Sequence, residues 1–269
     1  MSESSTPGKF FAKVCSIAAR TSAEYNMLSA DCRVLAALSG GPDSMIMLET
    51  LIALRKRAPF KFALEAVTFD PGFPQFNAHA VAEYCQARGI KHSIITLNMA
   101  PLLEVIDGER ARRPCVRCSR LRRGKLYGFA RENGYNRLAL GHHADDLLGS
   151  FLISLLRGQG LTTMGPNVPA DEDHAANGEL RIIRPLAMIP EAVVKQAASE
   201  FDFPAAGACP FKAELDASGD RAWAKRQLET WSERIPNLRT LMLKSLGKAE
   251  LNWLLDKRYI SVLKNHNNN

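Results

Sequence analysis

The stretch Arg33–Arg57, RVLAALSGGPDSMIMLETLIALRKR, constrains the fold more than any other. An apolar run of strand length ends in Ser-Gly-Gly, and helical periodicity takes over at once. Two glycines let backbone amides approach an anion closely. A helix starting near Asp43 offers free N–H groups and a positive dipole end to the same anion. The same alternation then repeats along the chain. FALEAVTFD is a second strand broken by PGF, and NAHAVAEYCQARG is a helix closed by Gly89. KHSIITLN is a third strand, and a helix runs from Ser119 to Asn133, stopped by Gly134. NRLALGHH, ADDLLGSFLISLLRG, GELRIIRPLAMI and PEAVVKQAASEF continue as strand, helix, strand and helix, with Pro190 at the start of the last. This predicts an α/β fold: a parallel five-stranded sheet with helices on both faces. Ligands of such sheets sit beyond the carboxyl ends of the strands. SGGPDS, TFDPGF and GHHADD all fall there.

The flanks obey different rules. Residues 1–30 form an N-terminal region with a helix from Phe10 to Met27, its apolar side marked by Phe10, Val14, Ile17 and Ala18. Residues 31–204 form the α/β domain, with a Cys-x-x-Cys and basic helix inserted. From 205 to 264 the alternation stops: ACPFKAELDASGD is a loop, and helices follow with a break near Ile235-Pro236. Residues 165–179 form a polar loop containing proline and glycine. At 46% hydrophobic residues the chain can bury a core, which excludes global disorder. Its net charge of +7 favours a polyanionic partner such as nucleic acid.

No apolar run approaches the roughly 20 residues of a membrane span. The start, MSESSTPGKFFAKV, lacks a signal-peptide pattern, so a cytoplasmic protein without membrane association is expected. Its six cysteines should then be reduced thiols or metal ligands.

Ser39 and Ser44 can donate hydroxyls to phosphate, whereas Asp43 either caps the helix or helps hold Mg²⁺. The spacing is not that of a Walker loop. It resembles the SGG-x-D-S loop of the N-type ATP pyrophosphatases, the PP-loop superfamily. Members of that superfamily cleave ATP between the α and β phosphates and adenylate a carbonyl oxygen. The resemblance implies an ATP–Mg²⁺ site built from Leu38, Ser39, Gly40, Gly41, Asp43, Ser44, Phe69, Gly141, His142, Asp145 and Asp146. Phe69 lies in TFD, where members of the superfamily contact adenosine. Asp145 and Asp146 also suit a helix N-terminus through its dipole, and the two roles are compatible.

Cys115 and Cys118 are spaced so that both sulfurs can reach one metal. A redox pair and two ordinary thiols are the rival readings. Cys15, Cys32 and Cys85 fall in apolar patterns and read as small buried hydrophobes, which leaves Cys209 as a third candidate ligand. Arg112, Arg113, Arg117, Arg120, Arg122, Arg123 and Lys125 surround the pair with no acidic residue among them. They form either a solvated face or a grip on RNA phosphates.

SGGPDS, CVRCSRLRRGKLY, LGHHADD, IRPLA and KRQLETWSERIPN occur in the order and approximate spacing of the tRNA 2-thiocytidine synthetase family (TtcA). The resemblance spans roughly residues 10 to 245. It implies a 4Fe–4S cluster on Cys115, Cys118 and Cys209, with the open iron carrying sulfur. It also implies Mg-ATP activation of C2 of a tRNA cytidine, with Asp43 and the three cysteines as catalytic residues. Arg113, Arg117, Arg120, Arg122, Arg123 and Lys125 would hold tRNA. A cysteine desulfurase or free sulfide would donate sulfur, and a homodimer is left open.

Two departures stand out. Pro42 replaces a lysine of the family loop, and a second Cys-x-x-Cys is reduced to Cys209-Pro210-Phe211-Lys212. Other readings are a uridine thiolase, a lysidine-type ligase, a small-molecule thiolase or desulfidase, and a non-catalytic metal-binding RNA module.

Overall fold

Strands β1 (Arg33–Leu38), β2 (Ala63–Asp70), β3 (His92–Thr96), β4 (Arg137–Ala139), β5 (Asn167–Pro169) and β6 (Arg181–Ile183) form one sheet in the order β3-β2-β1-β4-β6-β5. The structure is a computed structural model and describes residues 8–99, 101, 114–170, 180–207, 209–210, 217, 219–250 and 254–256. Every pairing is parallel except β5 with β6.

The sheet therefore has six strands and not five. The extra strand, β5, lies in the stretch expected to be loop, with Asn167 opposite Ile183. It is too short to show a period and contains Pro169, which an edge strand tolerates. Side-chain bonds help to hold it. Asn167 donates to the Tyr25 and Asn26 carbonyls, both at 2.9 Å, and accepts from Arg181 Nε at 2.7 Å.

Alternation along β1 sorts its side chains between two cores. Val34, Ala36 and Leu38 join the core under helices α1 (Lys9–Glu24), α2 (Pro42–Arg57) and α3 (Ala78–Ala87). Leu35 joins the opposite core, where helix α4 (Pro114–Glu132) supplies Leu126 and Ala130. Helix α4 begins at Pro114, five residues before the expected Ser119, because proline is preorganised for a first helical position. Cys-x-x-Cys thus lies inside the helix.

Beyond β4 run α5 (Ala144–Leu156) and, after β6, α6 (Glu191–Ala198). Helices α7 (Asp220–Arg234) and α8 (Leu238–Leu246) pack on α5 through Leu148, Leu152, Ala224, Leu228 and Leu238. The expected break at Ile235-Pro236 is the junction between α7 and α8. Cys15, Cys32 and Cys85 are buried, and burial pushes the Cys15 and Cys85 thiols up to about 11 and about 12. Among the described residues no helix is long and apolar enough to cross a membrane.

Candidate active site

Strands β1 and β4 are neighbours, with Ala36 opposite Ala139. From β1 the chain proceeds outward to β2 and β3, and from β4 it proceeds the other way to β6. Strand order reverses between them, which in such sheets makes the ligand crevice at the carboxyl ends. SGGPDS leaves β1 and GHHADD leaves β4, so the two loops meet at that crevice. An added Cβ on Gly141 would lie 3.0 Å from backbone atoms of Asp43 and Ser44, which measures how closely the loops touch.

Hydroxyls close the first loop. Ser44 Oγ donates to the Gly41 carbonyl at 2.8 Å and accepts from the Ser39 amide at 3.1 Å and the Ser39 hydroxyl at 3.2 Å. Gly40 takes the left-handed conformation, φ 75°, that lets the chain turn into α2. Pro42 opens that helix, where its missing N–H costs nothing. No side chain caps α2; the Ser44 and Met45 amides bond to the Gly41 carbonyl, and the Asp43 amide is left for a ligand.

Asp43 stands in the first turn of α2 and does not cap it. Burial raises its carboxyl above the usual range. Asp146 and Glu191 push the same way, while His143 and Lys195 oppose them. Five ionisable groups from three helices thus converge beside the phosphate loop. Asp146 accepts from the His143 amide at 3.0 Å, and the buried His143 ring leaves Nδ1 without a hydrogen bond.

His142 sits deeper. Burial pushes its ring down to about 4. Asp146 opposes that shift, while Arg184, Arg221 and His143 reinforce it. Arg184, 8% exposed, donates from Nε to His142 Nδ1 at 3.3 Å and from Nη1 to the Gly165 carbonyl at 2.5 Å. Burial lowers the Arg184 pKa, and Arg123 on α4 adds to that.

The structure gives Asp145 other work. Its carboxylate accepts from the Glu191 amide at 2.8 Å and from Arg239 Nε, joining α5 to α6 and α8. Phe69 is buried in the core beneath α4, and Leu38 is buried in the core on the other face.

Cys118 is half-buried on α4 and Cys209 is exposed. Burial raises the Cys118 thiol pKa; Arg122 lowers it and the nearby Cys209 raises it. The two sulfurs are therefore close enough to feel one another's charge. The segment before Cys209 is pinned: an added Cβ on Gly40 would meet the Ala206 methyl at 2.1 Å, and the Ala206 carbonyl accepts from Asn77 at 2.9 Å. Cys115 lies in the backbone of α4, and its side chain is outside the described residues, as is Arg113. Arg120, Arg122, Arg123 and Lys125 are exposed, and Arg117 is partly buried.

Sequence reasoning did not single out His143, Glu191, Lys195 or Arg221. Arg184 stood in the IRPLA motif without a role. His143 had a visible signal, the doubled histidine; the others belong to elements whose approach only the fold reveals.

The sequence profile of the PP-loop domain matches residues 15–203. The tRNA-cytidine(32) 2-sulfurtransferase of Alkalilimnicola ehrlichii is 35% identical over 234 residues, covering 87% of this chain and 72% of that protein. The chain belongs to the tRNA-cytidine(32) 2-sulfurtransferase family. A second member, from Geobacter sulfurreducens, is 34% identical over 251 residues, covering 91% of this chain and 93% of that protein. The family fold extends to the U34-tRNA thiolase NcsA from Methanococcus maripaludis, solved with its [4Fe-4S] cluster. That structure superposes with a TM-score of 0.69 at 20% identity, covering 88% of this chain and 78% of that one.

Proposed function

We propose that this chain is an ATP-dependent tRNA thiolase that replaces O2 of a cytidine with sulfur. The observation that carries the reading is the meeting, at the carboxyl ends of β1 and β4, of the phosphate loop with the GHHADD loop, where the Asp146 charge acts on Asp43 and the segment leading to Cys209 packs on Gly40. Relatives named tRNA-cytidine(32) 2-sulfurtransferase support the choice of base.

The residues present suit both implied inorganic groups. Mg²⁺ is commonly held by one or two carboxylates together with substrate phosphates, and Asp43 lies close enough to Asp146 for the second carboxylate's charge to raise the Asp43 carboxyl pKa. Thiolates favour iron–sulfur ligation; burial raises the Cys118 thiol pKa, and the positive charge of Arg122 offsets part of that rise. Cys115 and Cys118, one helical turn apart, would share a face of α4, with Cys209 as third ligand. A 4Fe–4S cluster held by these three cysteines would supply sulfur delivery at an iron without a protein ligand.

The protein's own contribution is positioning and electrostatics. Amides of Gly40, Gly41 and Asp43, with the Ser39 hydroxyl, hold the β and γ phosphates. The base carbonyl oxygen attacks the α-phosphorus and pyrophosphate leaves toward the positive end of α2. Sulfur then takes the place of the activated oxygen, and AMP departs. Arg117, Arg120, Arg122, Arg123 and Lys125, with Arg113 upstream, hold the RNA backbone around the target base.

The test is anaerobic purification, a visible spectrum and metal content, followed by incubation with ATP, sulfide and unmodified tRNA. Expected are a brown iron-containing protein, AMP, and 2-thiocytidine in digested tRNA. A colourless zinc protein that releases no AMP would sink the proposal. 2-Thiouridine as product would move the chemistry to a different base.

A further inference from the structure

We propose that Arg184 is a positioning residue: its Nε–H fixes His142 as the neutral Nε2–H tautomer, whose free N–H donates to a phosphate oxygen of bound ATP. This deepens the proposed function and rests on the reading that the crevice binds ATP.

The tautomer follows from donor chemistry. A guanidinium has five N–H donors and no acceptor. In the Arg184–His142 contact the imidazole Nδ1 must therefore be the acceptor, and it carries no proton. A neutral ring then bears its proton on Nε2. Arg184 is held for the task, because it is buried and its second arm donates to the Gly165 carbonyl. It cannot swing away without stranding a charge. The ring stays neutral across the physiological range for the same reasons that depress its titration: burial first, then Arg184, Arg221 and His143, against the opposing charge of Asp146.

The free end of the ring is available. Among the described residues, His92 Nδ1 and His143 Nδ1 are the buried side-chain atoms without a hydrogen bond. His142 Nε2 is not one of them, and no described residue bonds to it. The residue itself stands between the end of β4 and the start of α5, and β4 pairs with β1, which leads into the phosphate loop. A neutral donor there contacts phosphate without offering a proton that the pH would remove.

The experiment uses ring-¹⁵N histidine in the full-length protein, with His142 assigned from the signals lost in His142→Gln. The wild-type spectrum should show a bare Nδ1 and a protonated Nε2, and Mg-ATP should move the Nε2 signal. A ring protonated at Nδ1, or one whose Nε2 signal ignores bound ATP, overturns the proposal, and neither result needs an Arg184 variant to fold. Arg184→Met should introduce the Nδ1–H form and weaken ATP binding about tenfold, the loss of one hydrogen bond to a charged group. Arg184→Lys, which still only donates, should restore the Nε2–H form. An unchanged tautomer in Arg184→Met also overturns the idea. Failure of the wild type to bind ATP defeats the ATP reading itself, and the tautomer is read independently of it.

Discussion

A methyl group at residue 141 has nowhere to go. It would press on the Asp43 carbonyl and the Ser44 Cα at 3.0 Å, and both are backbone, so neither can rotate aside. Gly141→Ala should cost about 1–3 kcal/mol in thermal or denaturant unfolding. It should also weaken ATP binding by moving Asp43; unchanged affinity and stability together would show that the loops do not abut. Pro42 teaches a related lesson. The sequence suggested only a lost cation, whereas the structure gives the residue a backbone role at the first position of α2. Pro42→Lys should lower stability by about 0.4–1 kcal/mol through the freer unfolded chain. Equilibrium denaturation measures that loss separately from any gain in ATP affinity. Residue types were legible at both sites, but which backbone lay on the other side of Gly141 was not.

Among the elements, α6 joins the most parts. Its first amide bonds to Asp145 of α5, and Glu191 pairs with Lys195 at 2.8 Å and with Lys225 of α7 at 2.8 Å. Just past its end, Glu200 accepts from the Phe10 and Phe11 amides at the N-terminus of α1. The helix itself was legible, because PEAVVKQAASEF carries the period and begins at a proline. Its partners were not: Arg239 lies 94 residues from the Asp145 it binds, and no local pattern announces such a pair. Strand β5 escaped for a different reason: it is three residues long, with Val168 alone of them packed on the core and the Asn167 side chain bonded to Tyr25 and Asn26. Asp145→Asn should destabilise the protein by about 1.5–3 kcal/mol, the range for hydrogen bonds to a charged group. Limited proteolysis should then cut first in α7 and α8; a loss of ATP affinity at unchanged stability would give Asp145 to the nucleotide instead. Acid should loosen the same joint. Burial raises the Glu191 carboxyl pKa, but hydrogen bonds from Lys195 and Lys225 outweigh burial and hold it at about 2. Its unfolded value is near 4.3, so its stabilisation is complete above roughly pH 5 and fades toward pH 2. Glu191→Gln should flatten the stability profile in that window; a variant as acid-sensitive as wild type would assign the loss to other carboxylates.

Over the whole molecule, strand–helix alternation was enough to read the α/β class and the end of the sheet where chemistry belongs. Counting buried-pattern cysteines left Cys209 as partner to the pair on α4, and the nearness of Cys118 and Cys209 is what the structure adds. The reason for that nearness was hidden. The chain after α6 returns over the phosphate loop, with the Ala206 methyl on Gly40 and Gly207 at φ 82° against the Gln75 carbonyl. A change in the phosphate loop therefore bears directly on the segment that carries Cys209. On the far side of Cys118, α4 turns Arg120 and Lys125 to solvent, with Arg117 partly covered. If this surface holds tRNA, each neutralised phosphate releases counterions, and log affinity falls with log salt by about 0.7–0.9 per contact. Replacing Arg117, Arg120 and Lys125 together by alanine should reduce that slope by about 2–3, with weaker binding to every tRNA sequence tested. ATP binding in the absence of tRNA reports on the other surface and serves as the control. Fluorescence titrations across a salt series read the slope. A slope equal to wild type would mean that these three side chains face water in the complex and that the RNA lies against another face.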